Sequence, residues 1–224
     1  MKLKIKHHSL FQNLKAETIY WDQLRNDSEE EHYYIPCDKN EFVNVCNQNK
    51  NQFLIDNLTE VLRNRNINKL LSLGSGRSCL EYFLTQQNFK VSISDIFGPI
   101  NRLKSFNLFE NVYEMNFFDS MEQIKESKTA VLLGRIDTEL NDQMLCELFK
   151  QLYSRKVKNV IFIPAQLLTI KSLLIEFYLR LKARFFKRKL VFCGYSRSFS
   201  LFESLWKKFY NSQKFCGFYL LKIK

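Results

Sequence analysis

Residues 69–95 constrain the fold more than any other stretch. Lys69-Leu70-Leu71-Ser72-Leu73 is a short apolar run, and Gly74-Ser75-Gly76 follows at once. Arg77 to Leu84 then carries apolar residues at helical spacing. Lys90-Val91-Ser92-Ile93-Ser94 is a second run of β type and ends on Asp95. Strand, glycine turn, helix, strand and acid, in that order, make the first half of a nucleotide-binding βαβ unit. The glycines let the chain turn sharply and let a ligand lie against bare main chain. The helix start offers N–H groups to a polar or anionic ligand. Asp95, 21 positions after Gly74, stands where an acid accepts hydrogen bonds from a ribose diol. A purely structural turn is the plain alternative. Against it, two of the six glycines in the whole chain fall in this one turn.

The rest of the chain repeats the alternation. Further strands are expected at 112–116, 129–133, 157–163, 190–193 and 217–223, with helices at 121–125, 141–153, 167–186 and 198–210. Several of the strands are apolar throughout, as strands covered on both faces are. The pattern predicts an α/β, Rossmann-like, doubly wound and mostly parallel sheet. Gly74, Asp95, Asp119 and Gly134 each follow a strand, so all four belong on its carboxyl edge, where ligands of such sheets bind. Before the first strand, residues 9–32, a segment capped by Asp38 or Asn40, and residues 53–65 read as helices. The expected organisation is an N-terminal helical cap or edge segment over 1–66 and a Rossmann-like domain over 67–224.

Charge and cysteine usage narrow the setting. The net charge of +11 lies almost wholly in residues 165–224, which hold 13 Lys/Arg against 2 acids, Glu176 and Glu203. Such a field favours an anionic partner: a phosphorylated glycan, an anionic lipid surface or nucleic acid. The six cysteines form no C-x-x-C pair, and Cys79, Cys146 and Cys193 sit in apolar runs. Neither a disulfide frame nor a zinc site is expected, and a reduced, cytoplasmic setting is. Three histidines, two of them the terminal His7-His8, are too few and too scattered for a metal centre. The N-terminus lacks the apolar core of a signal peptide, and no apolar stretch is long enough to span a membrane.

On these residues the chain resembles the class I S-adenosylmethionine-dependent methyltransferases over about 67–224. Leu70-Leu71-Ser72-Leu73-Gly74-Ser75-Gly76 is similar to their first motif, the glycine loop under the methionine part of the cofactor. The resemblance implies that S-adenosyl-L-methionine is bound by Ser72, Gly74, Ser75 and Gly76, with Asp95 on the ribose. Asp119 falls near the adenine amino group, Ile96 and Phe118 beside the ring, and Gly134 at the methyl-transfer site. It also implies a seven-stranded sheet with one antiparallel strand near the C-terminus, the last two strands being 190–193 and 217–223. Two departures stand out. The family's acid is Ser72 here, and its third glycine is Ser78. Glu81, on the first helix, could restore the missing charge, though an exposed or capping role is the blander expectation. A nicotinamide dehydrogenase is the nearest rival, but it needs Gly or Ala where Cys79 stands.

Methyl transfer needs positioning and, for some acceptors, a base. Asp137, Glu139 and His32 are the candidates, each also readable as structural or solvated. The acceptor is expected to be a small molecule, glycan or lipid-linked compound of anionic character. No Asn/Asp-Pro-Pro-aromatic motif follows the fourth strand, and no nucleic-acid module is present, which disfavours a nucleic-acid substrate. An RNA methyltransferase using the basic quarter and an inactive cofactor-binding scaffold stay open as alternatives. Finally, residues 165–189 combine a broad apolar face with seven basic residues and one acid. They read either as a helix packed on the sheet or, over 177–190, as a peripheral contact with an anionic membrane.

Overall fold

The computed structural model describes residues 2, 4–7, 26, 34–96, 98–124, 129–165, 167–186 and 194–224. The expected helix over 9–32, with His8 and His32, lies outside them apart from Asn26. So do Phe97, the basic triplet 187–189 and the expected strand 190–193.

Nine strands form two sheets among these residues. Strand β1 (Lys4–His7) pairs antiparallel with β7 (Gly194–Arg197) in a two-stranded ribbon. The main sheet holds β2 (Lys69–Leu73), β3 (Lys90–Asp95), β4 (Asn111–Glu114), β5 (Thr129–Gly134), β6 (Asn159–Ile163), β8 (Tyr210–Lys214) and β9 (Tyr219–Ile223). Its order is β4-β3-β2-β5-β6-β9-β8. All neighbours are parallel except β9, which runs antiparallel to both β6 and β8. This is the mostly parallel, doubly wound sheet that the pattern predicts, with the seven strands and the one reversed strand that the resemblance implies.

One strand differs from expectation. The main sheet includes the strand Tyr210–Lys214, which the sequence reading did not assign to a strand; the expected helix 198–210 takes in Tyr210 alone. Its residues after Tyr210 are exposed, as suits an edge strand, and the run Tyr-Asn-Ser-Gln-Lys has no apolar pattern to announce it.

The strands are apolar on both sides because both sides are covered. Leu70, Val91, Ile93, Leu132 and Ile161 face a core shared with helices Lys39–Gln48, Gln52–Asn64 and Cys79–Gln86. Leu71, Leu73, Val131, Leu133 and Phe162 face helices Asp142–Ser154 and Phe199–Trp206, where Phe149 and Phe162 meet Trp206 edge to face and Phe202 stacks on it. Each buried Leu, Val or Phe adds about 1.5–3 kcal/mol. Caps fix where the helices begin. Asp38, rather than Asn40, accepts the Asn40 and Glu41 N–H groups at 2.8 and 2.9 Å, and Asn141 accepts that of Met144 at 2.9 Å. The two helices before β2 thus share one core with the sheet.

Candidate functional site at the carboxyl edge of the sheet

The glycine loop leaves β2 in a left-handed path. Gly74 has φ 66° and Gly76 φ 56°, a region that L side chains enter at a cost of about 1–2 kcal/mol. Ser78 enters it too, at φ 59°, which accounts for a glycine at this position in the family pattern. The loop is stitched to its surroundings. The Ser75 N–H donates to the Ser94 carbonyl at 3.0 Å, and the Ser78 N–H to the Ser75 carbonyl at 2.9 Å. The Ser78 hydroxyl donates to Ser75 Oγ at 2.9 Å.

Asp95 ends β3 directly behind this loop and is buried. One carboxylate oxygen accepts from the Gly76 N–H and the other from the Ile96 N–H, both at 2.8 Å. The acid picked out by spacing alone therefore meets the glycine loop in space. It clamps the loop through main-chain donors, where the sequence reading assigned it only to a ligand.

Glu81 overturns the bland expectation. It is not exposed: it is buried at 4 % exposure and accepts the Ser72 hydroxyl at 2.6 Å. Burial raises its carboxyl to about 7, against the opposing hydrogen bond from Ser72; the neighbouring charge of Asp95 pushes the same way as burial. A buried carboxyl therefore lies beneath the loop. It stands on the helix Cys79–Gln86, and the Ser72 hydroxyl links it to β2.

Register places the remaining residues. Leu73 pairs with Leu133, so Gly74 and Gly134 leave their strands side by side. A side chain at Gly134 would meet no atom within 4 Å, and its φ lies outside the left-handed region. Asp95 pairs with Glu114, and the chain then runs to the short helix Phe117–Ser120. Asn116 caps that helix and donates to Asp119 Oδ2 at 2.5 Å. Asp119 is exposed, Phe118 is half-buried against the core covered by Asp142–Ser154 and Phe199–Trp206, and Ile96 is 36 % exposed.

The base candidates separate. Asp137 is fully buried in the turn after β5, where Oδ1 accepts the Ala165 N–H at 2.9 Å and Oδ2 has no hydrogen-bond partner among the described residues. Burial raises its carboxyl to about 6, against the Ala165 hydrogen bond. It ties the ends of β5 and β6 together. Glu139 is exposed at the same edge. Sequence reasoning missed Arg197 altogether. It is fully buried, donates to Asp142 at 2.7 Å and to the Asp137 and Leu140 carbonyls, and stacks over Tyr195. Lys4 closes on the other oxygen of Asp142 at 2.7 Å, so the β1–β7 ribbon is fastened to this edge. No spacing signal pointed to it, since the three partners lie more than fifty residues away. A separate cavity of about 260 Å³, lined by Lys69, Ser92, Asn111 and Thr129 among others, opens at the opposite, amino edge.

No family model matches the sequence, and no curated protein is significantly similar to it. Solved structures are similar in fold. Human N-acetylserotonin methyltransferase in complex with S-adenosylmethionine superposes with a TM-score of 0.50 at 16% identity, over 93% of this chain and 68% of that one. Magnesium protoporphyrin IX methyltransferase from Synechocystis PCC 6803, with the same molecule bound, gives a TM-score of 0.53 at 12% identity, over 93% and 96%. The S-adenosylmethionine-dependent methyltransferase SibL gives 0.51 at 14% identity, over 77% of this chain and 55% of that one. With its strand order, reversed ninth strand and glycine loop at the carboxyl edge, the chain has the fold of the class I S-adenosylmethionine-dependent methyltransferases.

Proposed function

We propose that the chain binds S-adenosyl-L-methionine at this edge and transfers its methyl group to a small-molecule acceptor. The observation that carries the reading is Glu81. A carboxyl buried under a glycine loop costs stability, and here it stands against Ser72, the position where the family's first motif carries an acid. A cationic amino-acid group drawn to Gly74, Ser75 and Gly76 would meet the charge it requires. Asp95 would hold the ribose hydroxyls, Ile96 and Phe118 would flank the adenine, and Asp119 would meet its amino group. Gly134 fits the same account, because the space above it is open where the acceptor and the sulfur must approach. When bound, the cofactor supplies a methyl group already activated on a sulfonium. The work left to the chain is to orient the acceptor and exclude water. Arg197 and Asp137 serve this by fixing the turns after β5 and β6. The solved relatives in fold that are named for small-molecule substrates, N-acetylserotonin and magnesium protoporphyrin IX, support the same class of acceptor.

Co-crystallisation with S-adenosylhomocysteine tests the reading. The adenosine should lie along Asp95 and Asp119 with the sulfur facing Gly134. A nucleoside seated elsewhere would overturn it, and occupancy without turnover of any acceptor would favour the scaffold alternative.

A second observation favours an acceptor met at an anionic membrane. The helix Ile170–Phe186 does not bury its aromatic residues on the sheet. Phe177, Tyr178, Phe185 and Phe186 are 63, 61, 78 and 67 % exposed, interleaved with exposed Lys171, Lys182 and Arg184. No helix among the described residues is long and apolar enough to cross a membrane. Aromatic and basic side chains on one exposed helix suit an interfacial site, each basic residue adding about 1 kcal/mol near an anionic surface. Sedimentation with phosphatidylserine vesicles, but not with phosphatidylcholine alone, is the expected result, weakening with salt. Equal pelleting with both would contradict it.

A further inference from the structure

The sulfurs of Cys46 and Cys79 lie 2.8 Å apart. That is less than an ångström beyond a disulfide bond of about 2.05 Å. The residues are 33 positions apart in the chain, so only the fold brings them together. Cys46 is fully buried on the helix Lys39–Gln48. Cys79 is half-buried and opens the helix Cys79–Gln86, three residues after Gly76 of the loop.

The two thiols are not equivalent. Cys79 accepts the hydrogen bond of Cys46 and lies near Arg77, and both hold its pKa down against burial. Cys46 is pushed up, first by donating to Cys79 and then by burial. Cys79 is the partly exposed residue of the pair and stands two positions from Arg77, with Cys46 wholly buried in contact behind it. A nucleophilic thiol backed by a resolving one is the arrangement of a reversible redox site.

We propose that Cys46 and Cys79 form a reversible disulfide, driven by glutathione disulfide, that fastens the helix Lys39–Gln48 to the glycine loop. The Cys79 thiolate attacks one sulfur of glutathione disulfide, forming a mixed disulfide and expelling one glutathione thiolate. Cys46 gives up its proton and displaces the second glutathione. Two protein thiols become one S–S bond, two electrons pass to the oxidant, and it leaves as two glutathione thiols carrying the two protons. The new bond sits one residue beyond Ser78, whose N–H and hydroxyl both hold Ser75. Oxidation thus pins the loop in its present path. The pairing does not depend on what the loop binds.

The test equilibrates the full chain in glutathione buffers from reducing to oxidising, alkylates it with N-ethylmaleimide and maps the digested peptides. A linked Cys46–Cys79 peptide should form in the folded chain and be lost with dithiothreitol. Amide exchange over Gly74–Ser78 should slow, and the unfolding midpoint should rise by roughly 5–10 °C for a closed loop of this length. Cys46→Ser should leave Cys79 as a stable mixed disulfide with glutathione. Cys79→Ser should leave Cys46 unmodified. Absence of the linked peptide at every buffer ratio, or its formation only in urea, would overturn the proposal. The reverse modification pattern in the two variants would overturn the assignment of Cys79 as the attacking thiol.

Discussion

Glu81→Gln separates the cost of the buried carboxyl from its use. Burial lifts this group from the ordinary glutamate value of 4.5 to about 7. Below pH 4.5 it is neutral in both the folded and unfolded chain, and the contribution of the neutral form is fully present. As pH rises towards 7 the unfolded chain ionises first, so the folded state loses that contribution. Above pH 7 the loss reaches at most about 3 kcal/mol, at about 1.4 kcal/mol per pH unit. Glutamine keeps the shape and the acceptor for Ser72 Oγ but does not ionise. Its buried amide donors cost about 1 kcal/mol. The variant should therefore be about 2 kcal/mol more stable than the native chain at pH 8, and equal or slightly less stable at pH 4.5. Urea unfolding at pH 4.5, 6 and 8 and constant ionic strength measures it. A difference that does not change with pH would show that Glu81 ionises normally and would refute the reasoning. The same variant should bind S-adenosylhomocysteine more weakly at pH 8, stability gained at the expense of the site.

Other substitutions probe the frame around the loop. Ser78→Gly relieves a left-handed residue but loses the hydroxyl contact to Ser75, so thermal unfolding should show a net gain of up to about 1 kcal/mol; a loss would mean that the hydroxyl pair outweighs the backbone. Arg197→Met leaves Asp142 with Lys4 alone and orphans two buried carbonyls. Urea unfolding should record a loss of about 3 kcal/mol or more, which Arg197→Lys should not recover because an ammonium cannot span the three acceptors. Changing Phe185 and Phe186 together to Ser should cut sedimentation with anionic vesicles at least several-fold. The unfolding free energy should stay within about 0.5 kcal/mol, since both rings are exposed.

The legible parts of the fold were those whose signal is local. Leu70–Leu73, Val91–Ile93, Ala130–Leu133 and Val160–Ile163 are apolar because both faces of each strand are covered, and that pattern survives in the sequence. The glycine loop and Asp95 were legible because a left-handed turn needs glycine and a βαβ unit fixes the distance to the acid. Polar edge strand Tyr210–Lys214 was not, because it is held by pairing with β9 rather than by burial. Glu81 was legible only in part. Its flanks, Leu80 and Tyr82-Phe83-Leu84, signalled a buried position, and the serine at 72 signalled a missing charge; only the fold shows that the two compensate. The helix Ile170–Phe186 shows the opposite limit. Its apolar periodicity was plain, yet periodicity does not say what an apolar face meets. The Cys46–Cys79 contact and the Arg197 cluster are products of tertiary structure alone.

Gly134 gives the most direct test of the central claim, because no atom of the described residues explains its lack of a side chain. Isothermal titration of S-adenosylhomocysteine into the native chain and into Gly134→Ala compares the two. The account predicts one-to-one binding by the native chain, affinity at least tenfold weaker in the variant, and the same unfolding midpoint for both. Absence of heat from the native chain at millimolar ligand, or undiminished binding by Gly134→Ala, would contradict a cofactor seated at the carboxyl edge of the sheet.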